Sequence, residues 1–112
     1  MNVYDTANKL AMEIKQSEEY VNYKMAKEVL DLNSELKKKI ADFEQARYEA
    51  QIEIMQTGKA NDEKNQKMQQ LYIELLENQD AKKFFETETK FNTMLSDVNK
   101  IIGDVIKDVL TI

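Results

Sequence analysis

The stretch FFETETKFNTMLSDVNKIIGDVIKDVL, residues 84–110, decides the fold. One line of residues in it recurs at alternating intervals of four and three, the spacing of a heptad seam along one α-helix. This seam consists of Phe84, Glu88, Phe91, Leu95, Val98, Ile102, Val105 and Val109. A second apolar line, Met94, Ile101 and Ile106, runs beside it and widens the face beyond the edge of a two-stranded coiled coil. We therefore expect a long last helix with one broad apolar side.

The rest of the chain is also predicted to be helical. Its 112 residues include no Pro and two Gly, and 33% are charged; little in such a sequence interrupts a helix. The fold class predicted is all-α, a multihelical bundle of about five helices with two long antiparallel helices, in a single domain over 1–112. The expected helices cover about residues 5–16, 18–30, 34–56, 62–77 and 80–110.

Capping residues set these boundaries. We expect Asp5, Ser17 and Asn33 to cap the first three helices and Gly58 to end the third. Asn61 or Asp62 is expected to cap the fourth helix, and Asn78 or Asp80 the fifth. Gly103 lies inside the last helix, where it weakens or bends it.

Apolar spacing also predicts which faces are buried. The lists are Ala7, Leu10, Ala11 and Ile14 for the first helix; Val21, Met25, Ala26, Val29 and Leu30 for the second; and Met68, Leu71, Tyr72, Leu75 and Leu76 for the fourth. The third helix carries the heptad line Leu36, Ile40, Phe43, Arg47, Ala50 and Ile54.

Arg47 is the only arginine in the chain, and it occupies an apolar seam, as Glu88 does in the last helix. One interpretation is a buried ion pair between them, within one chain or between two, that fixes helix register. The other is that each side chain reaches solvent along its aliphatic stem. The sequence leaves both interpretations open.

The length of the last helix predicts association. About 30 helical residues span roughly 45 Å, whereas a compact domain of this size is only about 34 Å across. A homodimer is the economical way to cover the remaining apolar face, because a symmetric interface covers the same patch twice. We predict an interface made of Phe91, Met94, Leu95, Val98, Ile101, Ile102, Val105 and Val109.

Composition argues against an enzyme. The chain has no His and no Cys, so the usual metal ligands, the usual neutral-pH proton carrier and the thiol nucleophile are missing. We predict no catalytic residue, no cofactor and no metal site. An enzyme built on perturbed carboxylates is the less favoured alternative, and a purely structural coiled coil is disfavoured by the helix breaks.

Charge and hydropathy restrict the partners. The net charge is −5 and LKKKI at 36–40 is the only basic run, so we expect no direct nucleic-acid binding. No segment approaches the roughly 20 apolar residues of a membrane span, and the N-terminus lacks a signal-peptide pattern. We expect a cytoplasmic protein without a membrane partner.

Four segments carry a resemblance to a known family. In chain order they are NVYDTANKLAMEIKQSEEY, FEQARYE, MQTGKANDE and FFETETKFNTMLSDVNKII. They resemble the YheA branch of the YlbF/YmcA family of small helical bacterial proteins, which is described as related to competence development. The resemblance covers essentially the whole chain, and the pairing of VYDTANKL near the start with LSDVNKII near the end is its most specific part.

The resemblance implies a multihelical bundle that dimerises and acts through an unknown protein partner. In the YlbF and YmcA branches it implies a complex with a third protein that modulates an endoribonuclease and influences competence, sporulation and biofilm formation. A regulatory subunit of an RNA-processing complex is therefore the alternative function. Some relatives carry cysteines linked to iron-sulfur binding, but this chain has none, so that cofactor is not implied here. Relatives often have Pro shortly after the position of Ile102. Val105 stands there, so we expect the last helix to continue.

Overall fold

The computed structural model describes residues 2–110 and confirms the all-α fold class, with five helices in this part of the chain. They are α1 (Val3–Gln16), α2 (Glu18–Asp31), α3 (Ser34–Thr57), α4 (Asp62–Leu76) and α5 (Gln79–Leu110). Every boundary lies within two residues of the sequence prediction. The breaks fall where small polar residues or Gly58 compete with the helical backbone for hydrogen bonds.

Side-chain caps explain most of these boundaries. Asn33 Oδ1 accepts from the N–H of Leu36 at 3.1 Å, and Asn61 and Asn78 begin α4 and α5 in the same way. The expected cap at Asp5 is wrong, because Asn2 Oδ1 accepts from the N–H of Tyr4 at 2.8 Å and starts α1 earlier. Asp5 instead lies in the first turn of α1, where the helix dipole favours its negative charge.

The chain divides into two compact units, each described here by itself. The first unit contains residues 1–26 and 84–112, and the second contains Lys27–Lys83. The boundaries fall inside α2 and inside α5, both of which are continuous helices. The single domain expected over 1–112 stays a prediction.

The second unit is organised around the α3–α4 hairpin. The seam of α3 is buried at Leu36, Ile40, Phe43 and Ala50, and Leu75 of α4 is buried as well. The ring of Phe43 stacks on that of Tyr72 with centroids 5.3 Å apart. Aromatic pairs of this kind add about 0.5–1.5 kcal/mol beyond the burial of their area, so this contact stabilises the hairpin.

The turn of the hairpin is closed by both its backbone and its side chains. Gly58 has a φ of 75°, the left-handed conformation that glycine adopts without a Cβ penalty, and its N–H donates to Ile54 O at 2.8 Å. Glu53 joins the two helices, since Lys64 Nζ lies 2.8 Å from its Oε2 and Asn61 Nδ2 donates to its Oε1 at 3.2 Å. The Lys64 ammonium and then the Asn61 amide hold the pKa of Glu53 below its ordinary value.

Several buried faces differ from the sequence prediction. In α2 the buried residues are Ala26 and Leu30, and the expected burial of Val21, Met25 and Val29 is wrong because those side chains are exposed. Apolar residues occupy two faces of α2, and spacing alone does not select between them.

The other helices show smaller differences. Half-buried side chains that were expected to be buried are Leu10 and Ile14 of α1 and Met68, Leu71 and Leu76 of α4. Exposed side chains that were expected to be buried are Ala7 and Ala11 of α1, Ile54 of α3 and Tyr72 of α4. The buried side chains that spacing missed are Ala81, Phe85 and Thr87 near the start of α5.

The last helix runs without a break through Gly103 to Leu110, as the absence of Pro predicts. A Cβ built at Gly103 has no heavy atom within 4 Å outside its own helix and neighbours, so the glycine faces open space within the chain. None of the five helices, within residues 2–110, is long and apolar enough to cross a membrane.

Candidate interaction surface

Aromatic side chains of the first unit pack the first half of α5 against α2. The ring of Tyr23 lies 5.6 Å from that of Phe84 and 5.4 Å from that of Phe91, and Tyr20 meets Phe91 edge-on at 6.0 Å. Phe84 is buried and Phe91 is half-buried. Phe91, a predicted interface residue, therefore already has partners within its own chain.

The two polar seam residues lie in different units and have different surroundings. Glu88 is half-buried, and its Oε2 accepts from the hydroxyl of Tyr23 at 3.3 Å. Arg47 is exposed, and its guanidinium lies 5.7 Å from the centre of the Phe43 ring on its own helix. Such a cation–π contact contributes about 0.5–1 kcal/mol at an exposed site. The ion pair between Arg47 and Glu88 stays a prediction.

Exposure increases along α5 towards its end. The predicted interface residues Met94, Leu95 and Val98 are half-buried, whereas every residue from 99 to 110 is exposed. The apolar members of this last segment, which we call the arm face, are Ile101 (68% exposed), Ile102 (45%), Val105 (74%), Ile106 (42%), Val109 (82%) and Leu110 (73%). Four of the predicted interface residues thus lie on an open apolar surface.

A shallow groove leads into this surface. It has a volume of about 530 Å³, and its lining comes from the start of α2 and the middle of α5: Glu19, Thr89, Lys90, Thr93, Met94, Asp97 and Val98. Met94 and Val98 supply its apolar part, and charged residues stand beside them. A shallow groove with apolar and charged elements between two helices is a surface on which a helix of another protein can lie.

The sequence prediction did not identify several other apolar side chains as exposed. They are Val21, Met25 and Val29 on α2, Leu32 in the turn after it, Tyr48 and Met55 on α3, and Ile73 on α4. The sequence pattern that could have indicated this exposure is that apolar residues of α2 and α3 occupy more helix faces than one seam needs. Their exposure adds surface that another protein can contact.

Chemically reactive arrangements are not found in the part of the chain described. Between residues 2 and 110 no group of three or more His, Cys, Asp or Glu side chains is placed to hold a metal ion. A smaller cavity of about 200 Å³ beside the α3–α4 hairpin is lined by Leu36, Lys39, Asp42, Leu71, Glu74, Leu75 and Asn78. It is smaller than the roughly 300–1,000 Å³ of typical small-molecule sites.

Comparison with known proteins identifies a family and relatives of this chain. Residues 3–107 match the family profile described as "Control of competence regulator ComK, YlbF/YmcA". The UPF0342 protein DSY2926 of Desulfitobacterium hafniense is 36% identical over 110 residues, which cover 98% of this chain and 89% of the relative. The UPF0342 protein STH1710 of Symbiobacterium thermophilum is 33% identical over 104 residues, 93% of each chain. The UPF0342 label is consistent with the YheA branch that the sequence resembles.

One solved structure has a similar fold. Bacillus subtilis RicA, crystallised in complex with RicF, superposes with a TM-score of 0.60 at 24% identity, over 97% of this chain and 96% of RicA. At that identity the likeness concerns the fold alone.

Proposed function

The chain belongs to the YlbF/YmcA family, and we propose that it is a non-enzymatic protein–protein interaction module that works in the cytoplasm as a homodimer. The arm face is the observation that carries this proposal. Six neighbouring apolar side chains, all between 42% and 82% exposed, lie on one side of the last part of α5. Contiguous apolar surface of this kind marks interaction sites, because leaving it in water is unfavourable.

The charge pattern supports a protein partner over a nucleic acid. Lys37 and Lys39 of the basic run lie 2.8 and 3.8 Å from the carboxylates of Asp31 and Glu35. A phosphate backbone would have to displace these acids, and the chain as a whole is negative.

The shifted pKa values of Glu53 and Lys64 have a structural explanation. Glu53 and Lys64 form an ion pair that lowers one pKa and raises the other. That pair joins the end of α3 to the start of α4, so the hairpin geometry explains it as a structural contact.

Light scattering after size exclusion tests the dimer. We expect the wild-type chain at micromolar concentration to have twice the 13.1 kDa mass of the chain, and Val105→Glu to have the mass of one chain, because it places a charge in the proposed interface. Ser96→Glu is the matched control, since residue 96 lies on the opposite side of the same helix. A monomeric wild type, or a dimeric Val105→Glu variant, would contradict the proposed interface.

A regulatory subunit of an RNA-processing complex is the second candidate. The match to a profile of competence regulators favours it, and RicA was crystallised in complex with another protein, RicF. In this case the purified chain should co-migrate with an endoribonuclease from the same cell and change the cleavage pattern of that enzyme. Met25→Glu or Tyr48→Glu should weaken the binding to the endoribonuclease without changing the mass of the dimer. If no concentration of the chain alters the cleavage, this second candidate is excluded.

A further inference from the structure

The cavity beside the α3–α4 hairpin lies entirely within the second unit and combines an apolar floor with a charged rim. Its floor consists of leucines: Leu36 and Leu75 are buried, and Leu71 is half-buried. Its rim consists of exposed polar and charged residues, which are Lys39, Asp42, Glu74 and Asn78. A hydrocarbon stem can cover such a floor while a charged head group remains at the rim.

The charge available at the rim is negative. The ammonium of Lys39 lies 3.8 Å from Glu35 Oε1 on its own helix, so an acid already balances its charge. Within residues 2–110, the carboxylates of Asp42 and Glu74 take part in no ion pair. Asp42 belongs to α3 and Glu74 to α4, so a cation in the cavity is attracted from both helices.

The size of the cavity fits one side chain rather than a larger ligand. Its volume of about 200 Å³ is below the roughly 300–1,000 Å³ of most small-molecule sites. It is nevertheless larger than a cavity of roughly 150 Å³ that accommodates benzene. An arginine side chain is about as large as benzene, so it fits this space while its backbone stays outside.

The lining suits arginine better than lysine. A guanidinium is planar and has several N–H donors, so it can bridge two carboxylates that come from different helices. It is also more weakly hydrated than an ammonium, and bringing it next to the leucines of the floor therefore costs less desolvation free energy. Arginines seated in small pockets of this kind often dominate the binding energy of protein interfaces.

The chain itself supplies no free arginine for this cavity. Its only arginine is Arg47, whose guanidinium already lies 5.7 Å from the centre of the Phe43 ring on the same helix. A second copy would have to break this cation–π contact in order to offer its arginine. The charge and size of the cavity therefore favour a different protein as the occupant.

We propose that this cavity is the anchor site for an arginine side chain of a partner protein. The stem of the arginine lies on Leu71 and Leu75, and its guanidinium contacts the carboxylates of Asp42 and Glu74. The inference rests on the proposed role of the chain as an interaction module, and it adds the chemistry by which a partner is recognised. It does not depend on the homodimer.

The experiment follows the leucine methyl signals of the whole chain by NMR during a titration with arginine that is acetylated and amidated at its ends. We expect the signals of Leu36, Leu71 and Leu75 to shift and to saturate with a dissociation constant on the order of 1–10 mM. Leu10 of the first unit is the internal reference and should not shift. Blocked citrulline has the same shape without the charge and should bind at least about tenfold more weakly.

Charge variants locate the binding in the cavity. Glu74→Gln should raise the dissociation constant for blocked arginine on the order of tenfold, because one charge-assisted contact is lost. Glu63→Gln is the matched control, since it makes the same change at an exposed position of the same helix outside the cavity lining. It should leave the constant within about twofold of wild type. Equal effects of the two variants would show unspecific attraction to a negative chain and overturn the inference.

Four further results would also overturn it. They are leucine signals that do not shift, equal binding of blocked citrulline or blocked lysine, tighter binding of free arginine, and leucine signals that shift with the concentration of the chain alone. Tighter binding of free arginine would assign the cavity to a small molecule, and the last result would assign it to Arg47 of a second copy. Light scattering tests the homodimer separately. A dimer that does not bind blocked arginine contradicts this inference alone, whereas a monomer that binds it contradicts the homodimer alone.

Discussion

The α3–α4 hairpin and the last part of α5 have the same heptad spacing but opposite exposure. In α3 the seam positions Leu36, Ile40 and Phe43 are each no more than 5% exposed, whereas Val105 and Val109 of α5 are 74% and 82% exposed. The hairpin contains its own partner, because α4 returns along α3 after a short turn. The contrast teaches that a heptad identifies a face that must be covered, whereas chain connectivity decides whether the same chain covers it.

The largest effect should come from Phe43→Ala in the hairpin. Removing a ring that is 5% exposed and stacks on Tyr72 should reduce the free energy of unfolding by about 3–5 kcal/mol. Urea denaturation monitored by circular dichroism measures it. The counterpart, Val105→Ala, should cost less than about 0.5 kcal/mol at concentrations where the chain is monomeric. Equal costs for the two variants would contradict the difference between the two seams.

The second effect concerns the turn of the hairpin. Gly58→Ala should reduce the free energy of unfolding by about 1–2 kcal/mol, because an L-residue at a φ of 75° brings its Cβ too close to the backbone. No neighbouring atom crowds the position, so the cost comes from the backbone conformation. Gly58→Asn is the control and should cost less, since Asn tolerates this conformation. A thermal melt that ranks Ala at or above Asn would show that the turn relaxes.

The third effect has the opposite sign and lies in α5. Gly103→Ala should stabilise the isolated chain by about 0.5–1 kcal/mol, since Gly103 is helical and faces open space. Denaturation at low concentration measures this gain. The dimer constant of the same variant then shows how close a second helix approaches Gly103: a weaker dimer means contact at the backbone, and an unchanged dimer means a distant one.

The smallest effect should come from Glu53→Gln and should depend on pH. The folded-state pKa of Glu53 is lowered by Lys64 and Asn61, so its ionised form stabilises the fold above its unfolded pKa, which is near 4.5. This stability is lost as pH falls through the folded pKa. Wild type should therefore melt above Glu53→Gln at pH 7, and the two should converge in acid. A difference that persists at pH 2 would assign the contact to hydrogen bonding rather than charge.

Much of the fold could be predicted because local chemistry determines it. Asn33, Gly58 and Asn61 act at the positions expected of them, since caps depend on a few neighbouring backbone groups. The cap at Asn2 was missed because Asp5, three residues later, offers the same kind of oxygen. Choices of this kind shift a helix end by a turn or less.

The candidate site was predicted only in part. Spacing predicts an interface that includes Ile101, Ile102 and Val105, which are exposed on α5, and this interface stays a prediction. Spacing could not show that Phe91 has aromatic partners in α2. Nor could it show that Val21 and Met25 are exposed, because α2 has apolar residues on two faces. Packing between distant segments decides such cases, and it is not encoded in the period of one helix.

Ser17 is the joint between α1 and α2, and a rotation there moves the far end of α1. It is the single residue between α1 and α2; its hydroxyl donates to Ile14 O at 2.6 Å and accepts from the N–H of Tyr20 at 3.2 Å. Its two backbone torsions therefore influence the direction of a helix about 20 Å long. A rotation of about 10° at this residue moves Val3 by up to roughly 3–4 Å. A small change at the base of α2 is thereby amplified into a large displacement at the other end of the chain's first helix.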